Sequence, residues 1–130
     1  MTSEAGFRRY RFVDTPSFRK GVKRYASLRA QIAAKVNRIL DDPYNSEPLG
    51  RRGKYDLRGK RSVRVTRNFR IVFAICEECI TCGFKRNGYN ACKGCTKETP
   101  DDVVVLLTVA PHNEAYGRPW TEPVLLQDQD

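Results

Sequence analysis

All five cysteines fall between Cys76 and Cys95. The pattern Cys79-x2-Cys82-x9-Cys92-x2-Cys95 supplies two paired thiolates, the spacing that wraps a tetrahedral Zn²⁺ from both ends of a hairpin. Gly83, directly after the second cysteine, suits a tight turn that aims backbone N–H groups at sulfur. Cys76 makes an alternative first pair with Cys79, so more than one set of four is open. Two disulfides and a redox-active pair are the rival chemistries. A reducing cytoplasm disfavours the first, and the lack of a thioredoxin-like βαβ pattern disfavours the second. Four thiolates would leave no open position for activating water, so the expected zinc is structural and no catalytic metal is expected. Lys85, Arg86, Lys93 and Lys97 stand close enough in sequence to offset the negative tetrathiolate centre, or to meet a partner's phosphates.

A second group of residues is basic. The net charge of +9 divides into +13 over residues 1–70 and −4 over residues 71–130. Between 51 and 70, nine bases (Arg51, Arg52, Lys54, Arg58, Lys60, Arg61, Arg64, Arg67 and Arg70) face one acid, Asp56. Such density points to a polyanionic partner: RNA, DNA or an acidic protein. A merely solvated surface is the plainer alternative. His112, the sole histidine, lies just beyond an apolar run. Imidazole is the side chain best suited to handing over a proton near neutral pH, although a histidine here also serves as an ordinary surface or packing residue.

The elements that must position these groups show in the periodicity. Residues 7–13 alternate bases with Phe7, Tyr10, Phe12 and Val13, the pattern of a first strand. Asp14-Thr15-Pro16-Ser17 then offers an N-cap with proline at the first helical position. Phe18, Val22, Tyr25 and Ala26, and then Leu28, Ile32, Val36, Ile39 and Leu40, recur at helical spacing, which predicts a helical hairpin with one buried stripe. Asp41-Asp42-Pro43 ends the second helix, and a loop is expected from Tyr44 to Lys60. From Ser62 the period becomes two, with Val63 and Val65 facing one way and Arg64 and Thr66 the other, and Phe69 to Ile75 completes a hairpin. The apolar run Val103 to Val109 reads as a strand covered on both sides, the second cover coming partly from the C-terminal segment.

A chain of 130 residues and 14.9 kDa holds one ordinary domain. With 40% hydrophobic and 30% charged residues it is too apolar for wholesale disorder and too interrupted by charge for a bilayer span. The N-terminal residues lack a basic region followed by an apolar stretch, so a cytoplasmic location is expected. The expected fold is α+β, an N-terminal strand and helical hairpin packed on a small, mainly antiparallel sheet. It would occupy residues 1–116, with a zinc-binding hairpin inserted at 76–100 between the last two strands and a tail over 117–130 that docks back or hangs free.

The segment Arg61-Ser62-Val63-Arg64-Val65-Thr66-Arg67-Asn68-Phe69-Arg70-Ile71-Val72-Phe73, followed by Val103 to Val109 and Ala110-Pro111-His112-Asn113-Glu114-Ala115-Tyr116, resembles the RelE/ParE toxin superfamily. The element order matches as well, and the likeness spans most of residues 7–116. The resemblance implies the toxin of a type II toxin–antitoxin pair, closer to the RelE and YoeB ribonucleases than to the ParE gyrase inhibitors. It further implies cleavage of messenger RNA, commonly on the ribosome, by attack of the ribose 2′-hydroxyl on the adjacent phosphate without a metal. That reaction needs a base, cations for the charge gathering on phosphate, and an acid for the leaving oxygen. By resemblance Arg70 is the phosphate-stabilising arginine, Arg64 a second basic position, His112 the general acid and Tyr116 the C-terminal tyrosine that orients a nucleotide, stacks a base or moves a proton. Ser46-Glu47-Pro48-Leu49 resembles the stretch in which the YoeB type carries its base, so Glu47 takes that role; the longer Arg51 to Asp56 stretch leaves Tyr116 or Lys54 as alternatives. Arg51, Arg52, Lys54, Arg58, Lys60, Arg61 and Arg67 are the expected RNA contacts, and a small acidic antitoxin the expected partner. A nucleic-acid binder without catalysis and a ParE-like gyrase inhibitor are the other readings.

Overall fold

The computed structural model describes residues 9–52, 55–82 and 102–116, with the side chains of residues 51, 52, 55, 56 and 80–82 outside that description. A five-stranded sheet runs in the order β1-β7-β6-β5-β2, from strands β1 (Arg11–Asp14), β2 (Glu47–Pro48), β5 (Arg61–Arg64), β6 (Phe69–Ile75) and β7 (Val103–Pro111). Only β1 and β7 pair in parallel; the other neighbours are antiparallel.

Helices α1 (Pro16–Arg24) and α2 (Arg29–Asp41), joined by a 3-10 turn at Ala26–Leu28, form the expected hairpin. Its start is fixed locally. Thr15 caps α1 by accepting the Phe18 N–H at 3.2 Å and donates its hydroxyl to the Leu107 carbonyl of β7 at 2.8 Å, while Pro16 opens the helix. Phe18, Ile32, Ile39 and Leu40 then bury one face of the sheet against Ile71, Phe73, Val104 and Leu106.

The opposite face is covered by three short pieces: Leu49 and Leu57, Cys76 and Cys79 from helix α3 (Cys76–Cys82), and Ala115 and Tyr116 at the end of helix α4 (His112–Ala115). They close over Val72, Val105 and Leu107. Strand β7 is therefore covered on both sides, as its unbroken apolar run required, and part of the second cover does come from the chain after it.

The structure departs from the sequence reading in three places. The first strand begins at Arg11 and continues to Asp14; residues 1–8 lie outside the described residues. The segment read as a loop from Tyr44 to Lys60 is instead an arm of paired backbone. Beyond β2 the Leu49 N–H donates to the Lys60 carbonyl (2.9 Å) and the Leu57 N–H to the Gly50 carbonyl (3.1 Å), and β3 (Arg51–Arg52) pairs with β4 (Tyr55–Asp56). The return is made at Gly59, whose φ of 91° is open to glycine at little cost, in a turn closed by the Lys60 N–H on the Leu57 carbonyl. Third, the segment read as a hairpin over 76–100 opens as a helix over Cys76–Cys82, with Cys76 and Cys79 one turn apart on its buried side, while the turn expected at Gly83 lies outside the described residues.

Two carboxylates hold α3 in place. Tyr10 donates its hydroxyl to Glu77 at 2.7 Å, and Arg61 forks onto Glu78 at 3.0 and 2.9 Å. The Arg61–Glu78 side chains are only 13% and 19% exposed. Removing one partner of a buried pair costs about 3–5 kcal/mol, and the remaining water contact reduces that here. Arg61→Ala is expected to lower stability by about 2 kcal/mol in a denaturant titration, and an unchanged midpoint would show that α3 does not depend on the pair.

Tyr44 borders this cluster. Partial burial, then the charge of Glu77, Tyr10 and Glu78, raise its phenol from 10.0 to about 12, with Arg61 acting the other way. The folded chain thus holds this proton more tightly than the unfolded one. The stability that follows is complete below pH 10 and is lost as pH rises through about 12. Tyr44→Phe should remove the last-titrating part of the tyrosinate absorbance and flatten the stability loss over that interval; identical titrations would contradict it.

Candidate functional site

A cleft of about 340 Å³ opens at the edge of the sheet. It exists because β2 is short. Glu47 pairs with Ser62 and Pro48 with Arg61, but upstream of Glu47 the chain turns away: the Asn45 N–H donates to the Asp42 carbonyl at 3.1 Å and Ser46 Oγ to the Pro43 carbonyl at 2.7 Å. Among the described residues no strand then pairs with Val63 and Arg64 on that side. The space is walled by α2, by the 42–47 turn and by the ends of β5 and β6.

Three of the expected catalytic residues open onto this cleft: Glu47, Arg64 and Arg70. Arg64 and Arg70 are direct partners in the β5–β6 register. Like charges directly opposite on a sheet repel, so an anion bound between the two guanidinium groups would relieve that repulsion. Arg70 is also held in orientation, since its Nη1 donates to the carbonyls of Thr66 (3.4 Å), Arg67 (3.1 Å) and Phe69 (3.3 Å) on its own hairpin turn.

Tyr116 and His112 stand next to the cleft rather than on its wall. Tyr116 is 7% exposed, and its hydroxyl lies 3.0 Å from Ser62 Oγ, Ser62 being a cleft residue. His112 is exposed at the start of α4; its backbone N–H donates to the Asn68 carbonyl at 2.5 Å, and its ring meets Tyr116 edge-on at 5.2 Å and 84°. Strand register explains the proximity, because Phe69 pairs with Pro111 and Arg70 with Ala110, so the chain enters α4 beside the arginine. Val72 and Ala110 belong to the same buried cluster as Tyr116. Alternation along β6 places Arg70 on that side of the sheet too.

The seven expected RNA contacts divide. Arg58 and Arg67 are exposed. Lys60 is turned inward at 3% exposure, and Arg61 is engaged by Glu78, the Ser46 carbonyl (3.2 Å) and the face of Tyr44 (5.2 Å). Their positions on the covered side of the arm set them apart from the exposed bases. Arg51 and Arg52 lie on β3 with side chains outside the described residues, as does the whole of Lys54.

The expected zinc ligands also divide. Cys76 and Cys79 are 4% and 6% exposed, and the Cys79 thiol points at the Gly59 carbonyl, 3.8 Å away. The Cys82 side chain, Cys92 and Cys95 lie outside the described residues, as does the tail 117–130. Among the described residues no three metal-ligating side chains come together. No helix among them is long and apolar enough to cross a membrane.

Lys35 and Arg38 of α2 also wall the cleft, and sequence reading passed over them as part of a solvated helix face. Their one available signal was spacing: two bases one turn apart on the helix that leads into Glu47.

No protein-family profile matches the chain, and no curated protein matches it. Among solved structures it is similar to a chain of the toxin–antitoxin complex RelBE2 from Mycobacterium tuberculosis, at 16% identity and a TM-score of 0.51, over 82% of this chain and 94% of that one. At that identity the likeness speaks for architecture: the protein has a RelE-like α+β fold.

Proposed function

We propose that the protein is the toxin of a type II toxin–antitoxin pair, an endoribonuclease that cuts messenger RNA without a catalytic metal and so stops translation. The observation that carries this reading is the meeting of Glu47, Arg64 and Arg70 on one cleft, with Tyr116 hydrogen-bonded to the cleft residue Ser62. Glu47 takes the proton of a ribose 2′-hydroxyl. The freed 2′-oxygen bonds to the adjacent phosphorus, whose bond to the 5′-oxygen breaks. Arg70 and Arg64 hold the charge that builds on the phosphoryl oxygens, a role for which a two-pronged guanidinium is suited. The leaving 5′-oxygen takes a proton from His112, which reaches the substrate from the far side of Tyr116. The products are a 2′,3′-cyclic phosphate and a 5′-hydroxyl end.

Exposed Arg58 and Arg67, with Arg51, Arg52 and Lys54 of the arm, would extend the track for the RNA backbone on either side. A small acidic antitoxin would neutralise the same track, a partner suggested by the toxin–antitoxin complex that the fold resembles. The ribosome is the proposed place of action. The reading is tested by incubating purified protein with messenger RNA, alone and on ribosomes, in the presence of a chelator. Cut messages bearing 5′-hydroxyl ends are expected; intact messages in both settings would overturn it. Because His112 stands off the cleft wall, the rival reading is a binder without catalysis. Tight, salt-dependent RNA binding with no cut ends would select that rival. A gyrase inhibitor would instead show itself in a DNA supercoiling assay.

The cysteine segment is proposed to hold one structural zinc through four of its five cysteines, with Cys79, Cys92 and Cys95 in both sets and either Cys82 or Cys76 completing the first pair. Metal analysis of the purified chain should give one zinc per molecule. Mapped disulfides and no zinc would replace that proposal.

A further inference from the structure

We propose that Lys35 and Arg38 form a second phosphate subsite, on the α2 wall of the cleft that Arg64 and Arg70 also border, which holds an RNA phosphate neighbouring the one to be cut. The proposal rests on the preceding reading for the identity of the polyanion, but not for the existence of the subsite.

Among the described residues the bases that are paired with acids can be set apart from those that border the cleft. The paired ones include Arg11 with Asp102 at 2.7 Å, Arg19 with Asp14 at 2.8 Å and Arg61 with Glu78 at 2.9 Å. Lys35, Arg38, Arg64 and Arg70 make no such ion pair among the described residues, and all four border one cavity. The acids facing them there are Asp42 and Glu47, so the walls keep an excess of positive charge.

Helix geometry supports a joint role. Residues three apart project from the same side of a helix, one above the other. A lysine and an arginine so placed present a point charge and a planar fork to the same side. The plainer account is that a base in the last turn of α2 complements the helix dipole. It covers Arg38, which lies in that turn, but not Lys35, which lies before it and is half-buried at the cleft. An anion between the two walls accounts for both.

The consequence for chemistry is alignment. With one cation pair, a strand held at the scissile phosphate remains free to swivel about it. A second pair on the α2 wall fixes a neighbouring phosphate as well and restricts the nucleotide between them, the condition for a 2′-oxygen to lie in line with the bond it must break. Lys35 and Arg38 are thus positioning residues, and they read the backbone rather than the bases.

The test uses a short single-stranded RNA with every 2′-hydroxyl methylated, so that it binds and cannot be cut. Its affinity is measured by fluorescence anisotropy over a range of salt for the wild-type protein, for Lys35→Gln/Arg38→Gln, and for Lys20→Gln/Lys23→Gln. The last removes the same charge from exposed positions on α1 away from the cleft wall. The cleft variant should bind at least tenfold more weakly than the control variant. It should also lose about 0.7 of a unit of salt slope, the contribution of one phosphate contact on a single strand. On cleavable RNA its KM should rise and its kcat should fall, since the nucleotide between the two phosphates is no longer held in line. Equal affinity and slope for the two variants would overturn the subsite, as would absence of RNA binding by the wild type. Wild-type binding without cleavage would overturn the nuclease reading and leave the subsite standing; cleavage with equal KM for the two variants would do the reverse.

Discussion

Arg70→Ala protein is expected to leave messages intact under conditions in which the wild type cuts them, with the rate falling by about 10²–10³. That range is the usual consequence of deleting one preorganised donor aimed at developing charge, about 2.7–4 kcal/mol of barrier. Arg70 qualifies as preorganised because three carbonyls of its own hairpin turn already fix its Nη1. Little ordering cost is then left for the moment of reaction. Arg70→Lys should rescue poorly, since an ammonium lacks the second prong and cannot reproduce the clasp on the turn. Stability separates this account from misfolding. Losing the clasp is unfavourable, but losing the repulsion between the register partners Arg64 and Arg70 is favourable, so the unfolding midpoint should move little. A large drop in stability alongside the lost cleavage would assign Arg70 to the hairpin rather than to the phosphate. Full cleavage by the alanine variant would remove the proposed mechanism.

How much of this was legible in the sequence depends on the range of the interaction concerned. The start of α1 was readable because capping is local: Thr15 and Pro16 act on N–H groups within one turn. Alternation gave the 61–75 hairpin and the outward direction of Arg64, and the apolar run of β7 announced cover on both faces. Long-range partners were invisible. Arg61 and Arg64 look alike on the same strand, yet one is locked to Glu78, seventeen residues away, and the other borders the cleft. Nothing around Arg61 in sequence announces that carboxylate. Glu47 could be placed by its likeness to a known stretch. The neighbours that make it interesting, Lys35 and Arg38, depend on the 42–46 turn swinging α2 to the sheet edge, which no periodicity records. The arm over 47–60 was read as a loop because its strands have two residues each, too few to show alternation.

Gly21 escaped notice for the same reason, and its substitution is expected to cost as much stability as that of Arg61. Helix propensity alone says that Gly21→Ala should stabilise α1 by about 1 kcal/mol, since glycine is the poorer helix former. The packing says the opposite. A Cβ at this position would stand 2.5 Å from the Val109 carbonyl oxygen and 2.6 Å from Val109 Cγ1, distances at which backbone or helix must move. Overpacking of this kind costs about 1–3 kcal/mol, and here the obstruction includes backbone that cannot rotate aside. Gly21→Ala should therefore lose about 2 kcal/mol in a denaturant titration, and Gly21→Val more. The effect should also reach the cleft. Val109 precedes Ala110, the register partner of Arg70, and His112 follows two residues later, so pushing α1 off β7 displaces the proposed acid relative to the phosphate-binding arginine. Cleavage by Gly21→Ala, measured well below its unfolding transition, should fall by about tenfold through kcat, with KM nearly unchanged because the walls that bind RNA lie on α2, β5 and β6. A more stable Gly21→Ala protein would mean that α1 does not rest on β7 as closely as the structure places it.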